Sequence, residues 1–148
     1  MSIINSLSSN RIHCIYEDYK GTLWIGTADG GLNKYNRIDN NFEGINSSNG
    51  LASNNILSLF EDKEDNLWIG TSAGLNSLNF NTNKIGLFDK MDGLKSSAFI
   101  ENAADIGKDD YLYFATQRGF NAFDTKELSS KFCNFNIVFS DILVNSQS

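Results

Sequence analysis

The feature that most constrains this chain is that it repeats itself. Leu7-Ser8-Ser9-Asn10-Arg11-Ile12 aligns with Leu51-Ala52-Ser53-Asn54-Asn55-Ile56, and Leu23-Trp24-Ile25-Gly26-Thr27 with Leu67-Trp68-Ile69-Gly70-Thr71, both at an offset of 44 residues. Glu17-Asp18 falls over Glu61-Asp62, and Gly31-Leu32-Asn33 over Gly74-Leu75-Asn76 after a one-residue deletion. A weaker third copy runs from Gly93-Leu94 through Asp109-Asp110 and Tyr111 to Thr116, then to Gly119-Phe120-Asn121. It has Tyr113 in the tryptophan slot and Ala115 in the glycine slot. A period of this length is one supersecondary unit that buries its apolar faces only by stacking on its neighbours.

Within a unit the apolar runs have strand length, not helix length. In unit one they cover Ile12 to Glu17, Thr22 to Thr27, Gly31 to Tyr35 and Phe42 to Ile45; in unit two, Ile56 to Glu61, Leu67 to Thr71, Leu75 to Phe80 and Ile85 to Phe88. The first run is apolar on both sides of the alternation, which predicts burial on both faces. Asp18-Tyr19-Lys20-Gly21 has hairpin-turn chemistry, an Asp to bond nearby backbone and a Gly for positive φ. Four antiparallel strands per repeat is a β-propeller blade. The expected fold is all-β: a partial propeller of about three four-stranded blades at 7–50, 51–93 and 94–130, with 131–148 as a linker and the first strand of another domain. No fourth strand is legible in unit three, which could be a closing blade completed by a strand from the other end.

Composition narrows the function classes. The 148 residues carry 18 acidic and 12 basic side chains, a formal charge of -6, so no basic stripe is available for nucleic acid or anionic lipid. At 41% hydrophobic and 20% charged the chain is a folding one, large enough for a core without staples, so Cys14 and Cys133 need not pair. No apolar run spans a bilayer, and Met1 to Asn5 lacks the features of a signal peptide; any export address would lie on a longer precursor.

The pattern of Gly50-Leu51 and Asn54, a strand ending Glu61-Asp62, then Leu67-Trp68-Ile69-Gly70-Thr71 and Gly74-Leu75 resembles the two-component regulator propeller repeat, and unit one adds Gly30-Gly31-Leu32-Asn33-Lys34-Tyr35. Asn136 to Asn145 resembles the opening strand of the triple-tyrosine immunoglobulin-like domain that follows such propellers. The resemblance implies the periplasmic sensor region of a membrane-anchored hybrid two-component protein that detects oligosaccharides. In that family two seven-bladed propellers precede the immunoglobulin-like domain, a membrane helix and a histidine kinase. These residues would be the last three blades of the second propeller. Implied partners are an oligosaccharide and the remaining blades or, for a three-blade wedge with open apolar faces, a further copy of the chain. No cofactor is implied.

The recurring acids Glu17-Asp18, Glu61-Asp62 and Asp109-Asp110 read as turn residues because they repeat at the same hairpin, not as the paired acids of a glycosidase. Asp18, Gly21, Trp24, Gly26, Asp62, Trp68 and Gly70 are therefore expected to be structural, with both tryptophans in the core. Glu61 to Asn66 lacks the alternating oxygens of a calcium loop, and one histidine, His13, makes no zinc site, so no metal and no catalytic residue is expected. Adjacent strand residues point to opposite faces, so His13 and Cys14 form no dyad and read as packing residues. Function belongs where the repeats differ. An alternating path puts the loop before the first strand and the loop between the second and third on one face, and the distinctive side chains there are Arg11, Asp29, Asn55, Phe99, Gln117 and Arg118. Planar polar groups with an aromatic face suit a sugar. Non-catalytic ligand sensing is the leading expectation; a propeller lyase or hydrolase, or a protein-interaction scaffold, are the alternatives.

Overall fold

A computed structural model describes residues 2–92, 94, 96 and 98–130. The expected strand at Asn136 to Asn145 and Cys133 lie outside the described residues. Three antiparallel sheets follow one another along the chain. Blade one holds β1 (Ser2–Ile4), β2 (Ile12–Glu17), β3 (Leu23–Thr27), β4 (Leu32–Asn36) and β5 (Asn41–Ile45). Blade two holds β6 (Ile56–Glu61), β7 (Asn66–Thr71), β8 (Leu75–Asn79) and β9 (Ile85–Phe88). Blade three holds β10 (Phe99–Ile106), β11 (Tyr111–Thr116) and β12 (Gly119–Asp124), followed by the helix α1 (Thr125–Ser130).

The strands of blades one and two fall within a residue or two of their expected positions; the strand counts do not. Blade one has five strands, because β1 pairs antiparallel with β5 through Ser2↔Gly44, Ile3↔Glu43 and Ile4↔Phe42. Blade three has three strands among the described residues, its chain turning into α1 after β12. The N-terminal strand therefore does not complete blade three. It covers the outer edge of its own sheet, where β5 would otherwise present unpaired N–H and C=O groups.

Alternation along each strand sends one set of side chains to the preceding blade and the other to the following blade. Cys14, Trp24, Leu32 and Ile45 of blade one pack against Ile56, Leu59, Leu67, Ile69 and Leu78 of blade two. Trp68, Leu75 and Phe88 of blade two pack against Leu112, Phe114 and Phe123 of blade three, and Leu128 of α1 joins them. Blade two is thus covered on both sides. The expectation that β2 is buried on both faces fails: Ile15 lies on the side away from blade two, where no described blade packs, and is 56% exposed.

Trp24 and Trp68 are in the core as expected, and each indole N–H donates to the hairpin aspartate six residues before it, Asp18 at 2.9 Å and Asp62 at 2.7 Å. Asp18 Oδ1 also accepts the backbone N–H groups of Lys20 and Thr22, and Gly21 takes φ +78° to close the turn. Asp62 does the same for Glu64 and Asn66. Gly26 and Gly70 let adjacent sheets approach. A Cβ on Gly26 would stand 2.5 Å from Cys14 Sγ and 2.6 Å from Ile56 Cγ2, and one on Gly70 would stand 2.5 Å from Ser58 Oγ.

The third hairpin departs from this scheme. The backbone bond from Gly107 N–H to Tyr111 C=O matches that from Asp62 to Asn66, so Gly107 occupies the aspartate's slot. Asp109 and Asp110 lie further into the turn, and the three acidic pairs are not in one register. Asp109 still reaches the Tyr113 hydroxyl, at 3.3 Å, but on the surface.

Candidate functional site

Each blade is a meander, so the turns at 28–31, 72–74 and 117–118 lie at the end of the sheet away from the aspartate hairpins. They meet the loops that lead into the first strand of a blade. Ala28 N–H donates to Arg11 C=O at 2.9 Å, Ser72 N–H to Asn55 C=O at 3.1 Å and Gln117 N–H to Ala98 C=O at 3.2 Å. Gly31 N–H crosses to Asn54 C=O of the next blade at 2.9 Å. The two loop sets therefore do form one face.

Two sets of side chains that the sequence reasoning missed hold that face together. Thr27, Thr71 and Thr116 donate their hydroxyls to the carbonyls of Gly31, Gly74 and Gly119, closing the three turns. Asn33, Asn76 and Asn121 are buried two residues after the turn glycines and reach the incoming loops. Asn33 accepts from Ser8 N–H, Asn76 accepts from Ala52 N–H, and Asn121 donates to Ser96 C=O. The signal was present as Gly-Leu-Asn, Gly-Leu-Asn and Gly-Phe-Asn, one triplet per repeat.

On this face a cleft of about 600 Å³ opens between blades two and three, lined among the described residues by Leu57, Ser72, Ala98, Phe99, Ile100, Glu101 and Gln117. Its wall is where the repeat breaks. In blades one and two the pairing of the inner strand slips by one residue, between Ile12 and Cys14 and between Ile56 and Ser58. In blade three the slip runs from Phe99 to Ala104, and Asn102 within it takes φ +52°. Counted from the strand's first residue to its last pair, β10 is two residues longer than β6: Ile56 and Glu61 pair with Thr71 and Leu67, Phe99 and Ile106 with Thr116 and Leu112. The extra residues form a bulge that carries Ile100 and Glu101 into the cleft. Bulges re-aim side chains at such rims. Glu101 also meets His13: the ring's Nε2 is 3.5 Å from Glu101 Oε1, and its Nδ1 is 3.1 Å from the Ile56 carbonyl. His13 so bridges the inner strands of all three blades, a more specific role than packing.

Of the expected ligand residues, Gln117 and Phe99 line the cleft. Phe99 is only 5% exposed, its ring centroid 5.3 Å from that of Phe114, so it forms the floor and does not offer a free aromatic face. Asn55 borders the cleft through its backbone bond to Ser72, and its Oδ1 is buried without a hydrogen-bond partner. Arg11, Asp29 and Arg118 are exposed on the same face but are not among the lining residues. Among the described residues no cluster of three metal-ligating side chains occurs. Cys14 is buried, and burial pushes its thiol up to about 12, which removes it as a nucleophile near neutral pH.

Residues 6–29 and 50–73 match the family described as the two component regulator propeller. No curated protein sequence matches the chain. Among solved structures, it is similar to the extracellular domain of BT3049 from B. thetaiotaomicron, described as a hybrid two component system, at 25% identity and a TM-score of 0.68. That similarity covers 81% of this chain and 16% of the other. The extracellular domain of BT4673 from the same organism shows 23% identity and a TM-score of 0.68, over 81% of this chain and 18% of that one. PorZ, described as a surface component of the type-IX secretion system of Porphyromonas gingivalis, shares the fold at 19% identity and a TM-score of 0.61, over 76% and 17%. The chain thus spans less than a fifth of each of these structures. Its period, its aspartate–tryptophan hairpins and these matches agree: residues 6–29 and 50–73 carry the two component regulator propeller repeat, and the chain as a whole is similar in fold to these extracellular domains.

Proposed function

We propose that this chain is a ligand-recognising part of an extracytoplasmic two-component sensor, and that it binds an oligosaccharide in the cleft between blades two and three without transforming it. The observation that carries this reading is the bulged inner strand of blade three, which breaks the repeat at one place and lines that place with Glu101, Gln117 and Ser72. A carboxylate, an amide and a hydroxyl over an apolar floor are what hydroxyl-rich ligands require. Asn55 Oδ1, buried and unpartnered beside the cleft, is one more acceptor for a ligand hydroxyl or a bridging water. Glycoside hydrolysis takes two carboxyl groups facing one bond, and Glu101 is the one carboxylate among the described lining residues. The likeness to extracellular domains of sensors supports the placement, and no helix among the described residues is long and apolar enough to cross a membrane.

Calorimetric titration of the chain with a panel of neutral and acidic oligosaccharides tests the reading. Binding is expected to at least one of them, weakened about tenfold in Gln117→Ala, the loss of one hydrogen bond of about 1.4 kcal/mol. Release of a shortened sugar on long incubation, or an affinity unmoved by both Gln117→Ala and Glu101→Gln, would overturn it.

A further inference from the structure

At the end of the sheets that carries the aspartate hairpins, opposite the cleft, blades one and two enclose a second cavity, of about 160 Å³. Trp24 and Phe80 line it, stacked at 13° with ring centroids 5.6 Å apart. An ammonium group lies over each ring: Lys20 Nζ is 5.5 Å from the Phe80 centroid and Lys34 Nζ is 6.0 Å from that of Trp24. Thr22 and Asn83 add to the polar lining, and neither the Thr22 hydroxyl nor the Asn83 side-chain amide makes a hydrogen bond to another described residue. Asp18 also reaches the wall, but its two oxygens already accept from the Lys20 and Thr22 N–H groups and from the Trp24 indole. The carboxylates nearest the lysines, Asp65 and Glu43, stand 3.5 Å away, longer than the roughly 2.7 to 2.9 Å of a tight charged hydrogen bond. The cavity therefore presents an excess of donors, two of them charged. Blade two does not repeat this chemistry. Lys34 pairs with Trp24 where Ser77 pairs with Trp68, and at the 44-residue offset Lys20 and Thr22 become Glu64 and Asn66. The Asn66 amide turns inward onto Asp62. Both cations are thus peculiar to the junction of blades one and two, and the turn geometry that the first two repeats share does not call for them.

We propose that this cavity binds an oxyanion, a sulfate, phosphate or carboxylate group, held by Lys20 and Lys34 with the Thr22 hydroxyl and the Asn83 amide as further donors. Its volume holds one such group and not an oligosaccharide, so the site is separate from the cleft and independent of what the cleft binds. An anion there engages both blades at once, since Lys20, Thr22 and Lys34 belong to blade one and Asn83 to the turn after β8 of blade two. It also offsets the repulsion between two cations that line one small space, and the stacked rings give the apolar face of its carrier a wall.

Titration of the isotope-labelled chain with sodium sulfate, at ionic strength held constant with sodium chloride, tests this by proton–nitrogen correlation spectra. The Trp24 indole and the Thr22 amide are expected to shift and to saturate. The Trp68 indole, whose blade has Glu64 and Ser77 in place of the lysines, is expected to stay still. Lys20→Met and Lys34→Met keep the apolar stems and remove one charge each. Each is expected to weaken binding about tenfold, the loss of one charged hydrogen bond, with an unmoved Trp68 signal reporting an intact fold. Galactose 6-sulfate against galactose separates the sources of the group. Tighter binding of the sulfated sugar than of sulfate names a sugar-borne group, equal or weaker binding names a free ion, and galactose itself is expected to leave Trp24 unmoved. No shift at Trp24, shifts that never saturate, shifts that move Trp24 and Trp68 alike, or binding that persists in the double variant would each overturn the proposal.

Discussion

At the scale of single residues, the aspartate hairpins show how one side chain carries several obligations. Asp62, 1% exposed, accepts from two backbone N–H groups, from the Asn66 amide and from the Trp68 indole. Asp62→Ala would strand all of these donors, and at about 1 to 3 kcal/mol for each buried one the expected loss is at least about 3 kcal/mol. Asp18→Ala is expected to cost less, because Asp18 serves three donors and no neighbouring amide. Asp109→Ala, touching an exposed tyrosine hydroxyl, should be near neutral. Urea unfolding of the three variants checks the order; equal losses would contradict the assignment of roles.

Glu61 supplies a pH dependence with a definite sign. It is 1% exposed, with Oε2 accepting the Tyr19 N–H at 2.8 Å and Oε1 unpartnered. Burial pushes its carboxyl above the ordinary 4.5, helped by Asp18 and Asp65 and opposed by the Tyr19 N–H and Lys20. The folded chain therefore holds this proton more tightly than the unfolded chain does. That contribution to stability is fully present below about pH 4.5 and is lost as pH rises through the raised folded value. Glu61→Gln keeps an oxygen for Tyr19 and removes the buried charge, so it is expected to stabilise the chain at pH 7 by about 1 kcal/mol and to flatten this part of the profile. Melting temperatures of both proteins between pH 4 and pH 8 test it; an unchanged slope in the variant would place the dependence elsewhere.

At the scale of elements, spacing between sheets is set by the glycine in the middle strand of each of the first two blades. Gly26→Ala must displace both Cys14 and Ile56, one from each side of the interface, whereas Gly70→Ala meets Ser58 and the edge of Phe114. Overpacking of this kind costs about 1 to 3 kcal/mol. Both variants are expected to lower the denaturant midpoint, with Gly26→Ala also loosening the Cys14 thiol towards alkylation in the folded state. Mass spectrometry of the Cys14 peptide after brief iodoacetamide treatment reads that directly. Blade three has Ala115 at this position, and its middle strand faces no described neighbour on that side, which is why the larger residue fits there.

Much of this level was legible in the sequence, because a 44-residue repeat displays each position twice and lets position separate turn acid from active-site acid. Trp24 and Trp68 as core, Gly21 as a turn residue and the strands of blades one and two could all be read that way. The third copy was harder. Its hairpin has Gly107 where the first two have aspartate, so Asp109 and Asp110 fall at the positions of Glu64 and Asp65, and the bulge before it leaves no mark on hydrophobic alternation that distinguishes it from a loop. Phe99 was expected on a loop surface for that reason, when it is the first residue of β10 and packs on Phe114.

At the scale of the whole molecule, coverage differs among the blades. Among the described residues, blade two is packed on both sides, and blades one and three on one side each. Amide hydrogen exchange is expected to be slowest in β7 and β8 and to open first in β1 and β2, since local opening follows the contacts that must be broken. Uniform protection across β2, β7 and β11 would contradict this order.

The sequence by itself determined the all-β class, the blade as the repeating unit and the residues that build its hairpins, because each of these depends on contacts within one repeat and recurs with the period. It also pointed to the face on which unlike loops gather. Only the tertiary structure decided that the cleft lies between blades two and three, that β1 lies against β5, and that His13 joins three inner strands. Each of those joins residues from different repeats or different edges, and such contacts are made by how sheets stack, which a period along the chain does not record.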